Sequence, residues 1–250
     1  MINTIILLGS WIDPTKDGFI IKEGYGTLRT PTRIYSGYFK NDKPEGLGSL
    51  LILDKPEGVY LFKGMFHDGE KRTGKLVFPD KSVMHGEFSN DFKSRKGTIT
   101  EISNRYGILS MQGEFDGNGN GSCITIKYYN GTSYFGQTKG YMKYGKGVFL
   151  NDNGKYKGHF INDCLYHGKH LDLDENIYEG FFTEYDGNYV YDGYGFIYYS
   201  DGREYHGTYV KGLEDGDGLL YDNNDTHHMF KCHYKNGLRY SCTYLGEFIE

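Results

Sequence analysis

Alanine is absent from this 250-residue chain, and tryptophan occurs once, as Trp11. Alanine is the best helix former and glycine among the worst. A chain with none of the first and 37 of the second is not built from helices. Cysteine is scarce as well: Cys123, Cys164, Cys232 and Cys242 include no Cys-x-x-Cys pair and are too few and scattered for a disulfide framework. They are expected to be reduced thiols in a cytoplasmic protein. The apolar cluster at residues 5–8 has no basic segment before it and is too short for a signal peptide or a membrane span. It is expected to be a first strand. No Gly-x-Ser-x-Gly, phosphate-loop or His-Glu-x-x-His motif occurs. What the chain has instead is 25 Tyr and 16 Phe, residues that suit strands, beside glycines that suit turns and close backbone approaches. An all-β fold is expected.

One pattern recurs: aromatic, any residue, Gly, any residue, aromatic. It reads Tyr35-x-Gly37-x-Phe39, Phe62-x-Gly64-x-Phe66, Met84-x-Gly86-x-Phe88, Met111-x-Gly113-x-Phe115, Tyr134-x-Gly136-x-Thr138, Tyr156-x-Gly158-x-Phe160, Tyr178-x-Gly180-x-Phe182 and Tyr205-x-Gly207-x-Tyr209. Successive central glycines are 27, 22, 27, 23, 22, 22 and 27 residues apart. A second element, Gly-x-Gly-x-apolar, is clear after four of the eight first ones, at Gly46, Gly145, Gly193 and Gly216, and appears at the front at Gly24. Each period has the length of one β-hairpin. Period-two spacing puts Tyr178, Gly180 and Phe182 on one side of a strand. Asp-Gly pairs mark turns at Asp68, Asp186 and Asp201. Glycine weakens a strand, so its fixed offset from the aromatics needs a cause. An aromatic ring of the neighbouring strand lying over the bare backbone supplies one. A lone hairpin cannot bury its aromatic face, so the hairpins must stack.

The series resembles the MORN (membrane occupation and recognition nexus) family, whose unit runs Tyr-x-Gly-x-Phe, a turn, then Gly-x-Gly-x-Leu. The match covers about residues 18–222. The resemblance implies an elongated, single-layer antiparallel sheet of stacked hairpins, with residues 1–225 as the array and 226–250 as a degenerate terminal repeat or cap. Departures are local. Met84 and Met111 replace the first aromatic, and Gly74, Gly97 and Gly168 stand alone where Gly-x-Gly is expected. In the last unit Cys232 takes the glycine position. Similar repeats precede the SET domain of some lysine methyltransferases, and others sit beside lipid kinases. Here the nearest approach to a SET signature is Tyr240-Ser241-Cys242, so no enzyme is expected.

Chemistry-bearing clusters are few. Asp116-x-Asn118-x-Asn120-Gly121 matches the start of a calcium loop, but Lys127 stands where a bidentate Glu is required; a hairpin turn is the better reading. His227, His228, Cys232 and His233 include residues that alternate between strand faces, against the four converging ligands zinc needs. Cys232 packed as a small hydrophobe fits better. No cofactor, metal or small-molecule substrate is expected.

Charge is unevenly spread. The net is -5, yet residues 127–170 hold seven lysines against Asp152 and Asp163. Residues 171–225 hold fourteen acids against Arg203 and Lys211. In stacked repeats, sequence blocks become spatial blocks. Lys139, Lys143, Lys146, Lys155 and Lys157 are a candidate patch for anionic lipid headgroups. Tyr189, Tyr191, Tyr194, Phe196 and Tyr198 are a candidate protein-partner patch. Nucleic acid is not expected of an acidic chain. The family resemblance implies a scaffold or adaptor that binds protein partners, self-associates, and works at a membrane or the cytoskeleton. A phospholipid-binding module is the alternative, and an accessory half of a multi-component enzyme a third.

Overall fold

A computed structural model describes residues 6–9, 21–89, 94–222 and 227–247. Among them it contains no α-helix, and no helix long and apolar enough to cross a membrane. The chain forms two compact units, Met1–Asn130 and Gly131–Glu250. Trp11 and the start of the expected array, residues 18–20, lie outside the described residues.

The first unit carries strands β1 (Ile6–Gly9), β2 (Gly24–Arg29), β3 (Arg33–Lys40), β4 (Lys43–Ile52), β5 (Tyr60–His67), β6 (Glu70–Val77), β7 (Val83–Ser89), β8 (Ser94–Thr100), β9 (Ile108–Asp116) and β10 (Gly121–Tyr128). The second carries β11 (Ser133–Lys139), β12 (Met142–Asn151), β13 (Gly154–Ile161), β14 (Cys164–Leu171), β15 (Ile177–Tyr185), β16 (Asn188–Tyr198), β17 (Arg203–Val210), β18 (Leu213–Asp222), β19 (His228–Lys235) and β20 (Leu238–Glu247). In each unit every strand pairs antiparallel with the next. The expected all-β sheet of consecutive hairpins is therefore the observed fold, and the expected first strand is β1.

The hairpin turns follow the local chemistry. Asp68-Gly69 and Asp186-Gly187 are two-residue turns with both residues at positive φ, the conformation whose twist matches paired strands. Asn162-Asp163 and Asn236-Gly237 do the same. Asp201-Gly202 sits in a longer connection, between Tyr198 and Glu204, with Gly202 N–H donating to the Tyr199 carbonyl. Several of the two-residue turns also tie their hairpin to the one before. The Asp163 N–H donates to the Lys143 carbonyl at 3.0 Å, Gly212 to Tyr191 at 2.8 Å, and Gly237 to Glu214 at 2.9 Å.

Register explains the glycines. In the first unit Gly26, Gly37, Gly48, Gly64, Gly74, Gly86, Gly97 and Gly113 oppose one another in one unbroken row across β2 to β9. In the second unit Gly136, Gly147, Gly158, Gly168, Gly180, Gly195, Gly207 and Gly218 form the equivalent row across β11 to β18. A tyrosine ring covers the row in four repeats: Tyr35 over Gly37 and Gly48, Tyr134 over Gly136 and Gly147, Tyr178 over Gly180 and Gly195, Tyr205 over Gly207 and Gly218; in a fifth, the Phe62 ring and the opposing backbone together close on Gly64 and Gly74. The ring comes from the glycine's own strand, two residues earlier, and reaches the paired glycine next door. The expectation of a ring from the neighbouring strand thus holds for the second glycine of each pair only. Tyr35 and Tyr178 then donate their hydroxyls to the Tyr38 and Phe181 carbonyls at 2.9 and 3.0 Å. Where no ring covers the row, as at Gly86 and Gly97 beside Met84, the opposing backbone itself fills the space. The first glycine of Gly-x-Gly has a different task. It sits in a bulge at positive φ, as at Gly145 (61°) and Gly216 (104°), which other residues adopt only with strain.

The core lies on one face of the sheet in each unit. The first aromatic of one repeat meets the second aromatic of the next, edge to face. Tyr35 meets Phe66 at 5.0 Å, Phe62 meets Phe88 at 5.2 Å, Tyr134 meets Phe160 at 5.2 Å, and Tyr178 meets Tyr209 at 5.2 Å. Contacts of this geometry add about 0.5–1.5 kcal/mol each beyond burial.

The cysteines depart from expectation. Cys232 and Cys242 oppose each other on β19 and β20 and are disulfide-linked; Cys123 and Cys164 are free. The hairpin brings together two residues ten apart that match no spacing motif.

Replacing Gly180 with Val places a β-carbon 2.5 Å from the Tyr178 hydroxyl and 2.8 Å from the Gly195 Cα. The expected loss is about 3 kcal/mol of stability, the upper range for overpacking. Thermal unfolding checks it, and an unchanged melting temperature contradicts the packing.

Candidate functional site

Alternation gives strands β2 to β19 a core side and an open side. The lysines of β12 to β14 divide between them. Lys146, Lys155 and Lys157 are exposed on the open side. Register sets Lys155 between Leu150 and Leu171, and Lys157 between Val148 and Lys169. Lys146 opposes His159, which opposes His167. Lys169 joins this group and forms an ion pair with Glu179 at 2.8 Å. Exposed Phe135, Leu150, Ile161 and Leu171 lie among these cations. The surface is amphipathic, with long basic side chains interleaved with apolar ones.

Lys143 does not belong to it. Its side chain is only 10 % exposed, with its ammonium 3.6 Å from Asp163 and 4.8 Å above the Phe149 ring. Burial pushes its pKa down, and Asp163 partly restores it. It lies opposite Thr138 on the core side. Buried Arg95 and Lys71 lie opposite the second aromatics Phe88 and Phe66, their stems serving as apolar cover. Lys139 is exposed near the end of its hairpin, with its ammonium 6.0 Å over the Tyr144 ring.

The tyrosine patch divides in the same way. Tyr194, Phe196 and Tyr198 are on the open side, with Tyr194 and Tyr198 exposed. Their neighbours are His206, 4.7 Å from Phe196, and Tyr221, 4.7 Å from His206. Tyr189 and Tyr191 are core residues. Tyr191 stacks on Tyr178 at 3.7 Å, and Tyr189 packs edge-on to Phe149 and Tyr156 and donates to the Asp163 carbonyl. The β16 bulge adds two residues, so strand alternation carries through it: Phe182 opposes Tyr191 while Gly180 opposes Gly195.

The first unit has an unanticipated basic group. Lys63 opposes Lys75, which opposes His85. Lys63 precedes a row glycine as Lys157 does, and Lys75 follows one as Lys169 does. That position beside the row, rather than lysine density, is the sequence signal.

The two clusters weighed as metal sites are otherwise engaged. Asp116 turns its carboxylate onto its own loop, accepting the Asn118 and Asn120 N–H groups at 2.8 Å each. Cys232 is bonded to Cys242, and His233 lies 2.7 Å from Asp217. Comparison of the sequence with protein-family models and with curated proteins finds no match.

Tyr191 is tied to the one histidine of the core. His170 lies opposite Tyr156, where other repeats place Leu50, Leu76, Ile197 or Leu220. Its ring stacks on Tyr156 at 4.0 Å. Nε2–H donates to the Asn153 carbonyl at 2.9 Å, so Nδ1 accepts from the Tyr191 hydroxyl at 2.7 Å. Burial pushes the His170 pKa below its ordinary 6.5, against smaller opposing effects of the Asn153 carbonyl and Asp172. The unfolded chain therefore takes up this proton first. The contribution of neutral His170 is fully present above pH 6.5 and is lost as pH falls from there toward the lowered value. Melting temperature should drop more between about pH 7.5 and 5.5 for the native chain than for His170→Leu. Equal drops contradict this assignment.

Proposed function

We propose that this chain is a non-enzymatic binding module of the MORN type whose open β12–β14 side meets an anionic surface, with lipid headgroups as the ligand. The observation that carries the reading is a like-charge pair: Lys157 stands directly opposite Lys169 in the sheet. Like charges in that position destabilise a sheet; Glu179 offsets Lys169 at 2.8 Å, and a multivalent anion relieves the charge that remains on Lys157 and its neighbours. Lys155 on the same strand and Lys146 next to it extend the charge, while Leu150 and Leu171 flank Lys155 with apolar surface suited to an interface. Each cation near such a surface contributes about 1 kcal/mol. The glycine rows and stacked hairpins support the family resemblance. The peripheral placement at a membrane or the cytoskeleton follows from the same reading.

A protein scaffold is the second reading. It is favoured by open-side Tyr194 and Tyr198, exposed on β16 with half-buried Phe196 between them.

Flotation with anionic and neutral vesicles tests the first. The native chain should float with anionic vesicles at physiological salt and not with neutral ones. Lys146→Glu/Lys155→Glu/Lys157→Glu should abolish flotation with its melting temperature kept. Lys143→Met should leave flotation intact, because that side chain faces the core. Absence of flotation even at low salt overturns the lipid reading.

A further inference from the structure

The last hairpin differs from the others in what occupies the glycine row. From β11 to β18 each position in the row is glycine; on β19 and β20 it is Cys232 and Cys242, directly opposite Gly218 and each other. Cys232 is wholly buried and Cys242 is exposed. β20 is weakly held by packing. Among the strands whose burial is described, it alone contributes no buried residue. Leu238 and Tyr240 are 67 % and 70 % exposed. Its ring contacts across the hairpin are those of Tyr244 with Phe230 at 5.5 Å and His228 at 5.1 Å.

We infer that the Cys232–Cys242 bond is a redox latch: oxidised, it pins β20 to β19; reduced by a dithiol, it lets β20 peel away and leaves β19 as an open edge. The chemistry is thiol–disulfide exchange. A reductant thiolate attacks the sulfur of Cys242, the exposed residue of the pair, forming a mixed disulfide. The bond to Cys232 breaks, and its electron pair leaves with the Cys232 sulfur, which takes a proton. The second thiolate of the reductant then attacks the reductant sulfur bound to Cys242. Cys242 leaves as a thiolate and is protonated. One dithiol becomes a cyclic disulfide, and one protein disulfide becomes two thiols. Without the crosslink, the pairing, two ring contacts and the Tyr234–Arg239 side-chain hydrogen bond of β20 stand against the chain entropy of its ten residues. The uncovered β19 edge presents unpaired N–H and C=O groups, which accept an added strand.

The full chain, purified without reductant, denatured and alkylated, should carry two labels, on Cys123 and Cys164, and four after dithiothreitol. Four labels without reductant overturn the latch. Hydrogen exchange of the native chain should then show β20 amides opening roughly 100-fold faster in dithiothreitol, the order expected for releasing a short crosslinked loop, with β15 to β17 unchanged. Equal β20 exchange with and without reductant also overturns it. Cys232→Gly/Cys242→Gly, which continues the glycine row, should exchange at the reduced rate in both conditions. A reductant effect persisting in that variant assigns the response elsewhere and overturns the latch.

Discussion

A β-carbon has no room along one row of this sheet. In each unit a line of residues crosses successive strands, and from Gly37 to Gly113 and from Gly136 to Gly218 either an aromatic ring or the opposing backbone fills the space a side chain would take. That exclusion fixes much else. It explains why glycine persists inside strands that it weakens on its own. It holds each covering ring flat, so that its edge meets the aromatic of the next repeat. It sets register, because a slip of one residue would drive a side chain into the row. A row of this kind lets a single sheet layer bury aromatic rings without a second layer above them.

A one-sided core leaves the other side free to vary. Open-side positions lie outside the core, and the candidate recognition groups appear there: Lys146, Lys155, Lys157 and Lys169 together, Tyr194, Phe196 and Tyr198 together. Core-side polar residues are subordinate to packing instead. Lys143 lends its stem to the Phe149 ring, and His170 replaces an aliphatic residue at the cost of sensitivity to acid. Residues that look alike in sequence thus do opposite work according to the strand parity they fall on. In the proposed reading, recognition belongs to the open side and stability to the other.

Much of this was legible in the sequence. The spacing of Tyr178, Gly180 and Phe182 states a strand, its repeat states stacking, and Asp68-Gly69 and Asp186-Gly187 state their turns. The ring-over-glycine device was legible as a need, but its source was not: the ring starts two residues earlier on the same strand, a direction that side-chain rotamers set and residue spacing does not. Lys143 faces the core because strand parity, not lysine density, decides the side; Thr138 opposite it, in the place of an aromatic, is the sign of this in the sequence. Tyr189 and Tyr191 share the parity of Gly195 and Ile197, and the bulge between them preserves it. Cys232 and Cys242 were unreadable as a pair because their ten-residue separation acquires meaning only once the Asn236-Gly237 turn fixes the register. Lys63 and Lys75 become neighbours through the same register, and their places beside Gly64 and Gly74 are the trace of it in the sequence.

The central claim is that ring and glycine are one unit, and a double-mutant cycle on Tyr178 and Gly195 tests it most directly. A β-carbon at Gly195 meets only atoms of the Tyr178 ring among its nearest neighbours. Gly195→Ala and Tyr178→Leu should each destabilise the chain in chemical denaturation. In the double variant the alanine should cost much less, giving a coupling of about 1–2 kcal/mol, within the range for residues in contact. Strictly additive losses would contradict the account, because the glycine would then be needed for some reason other than the ring.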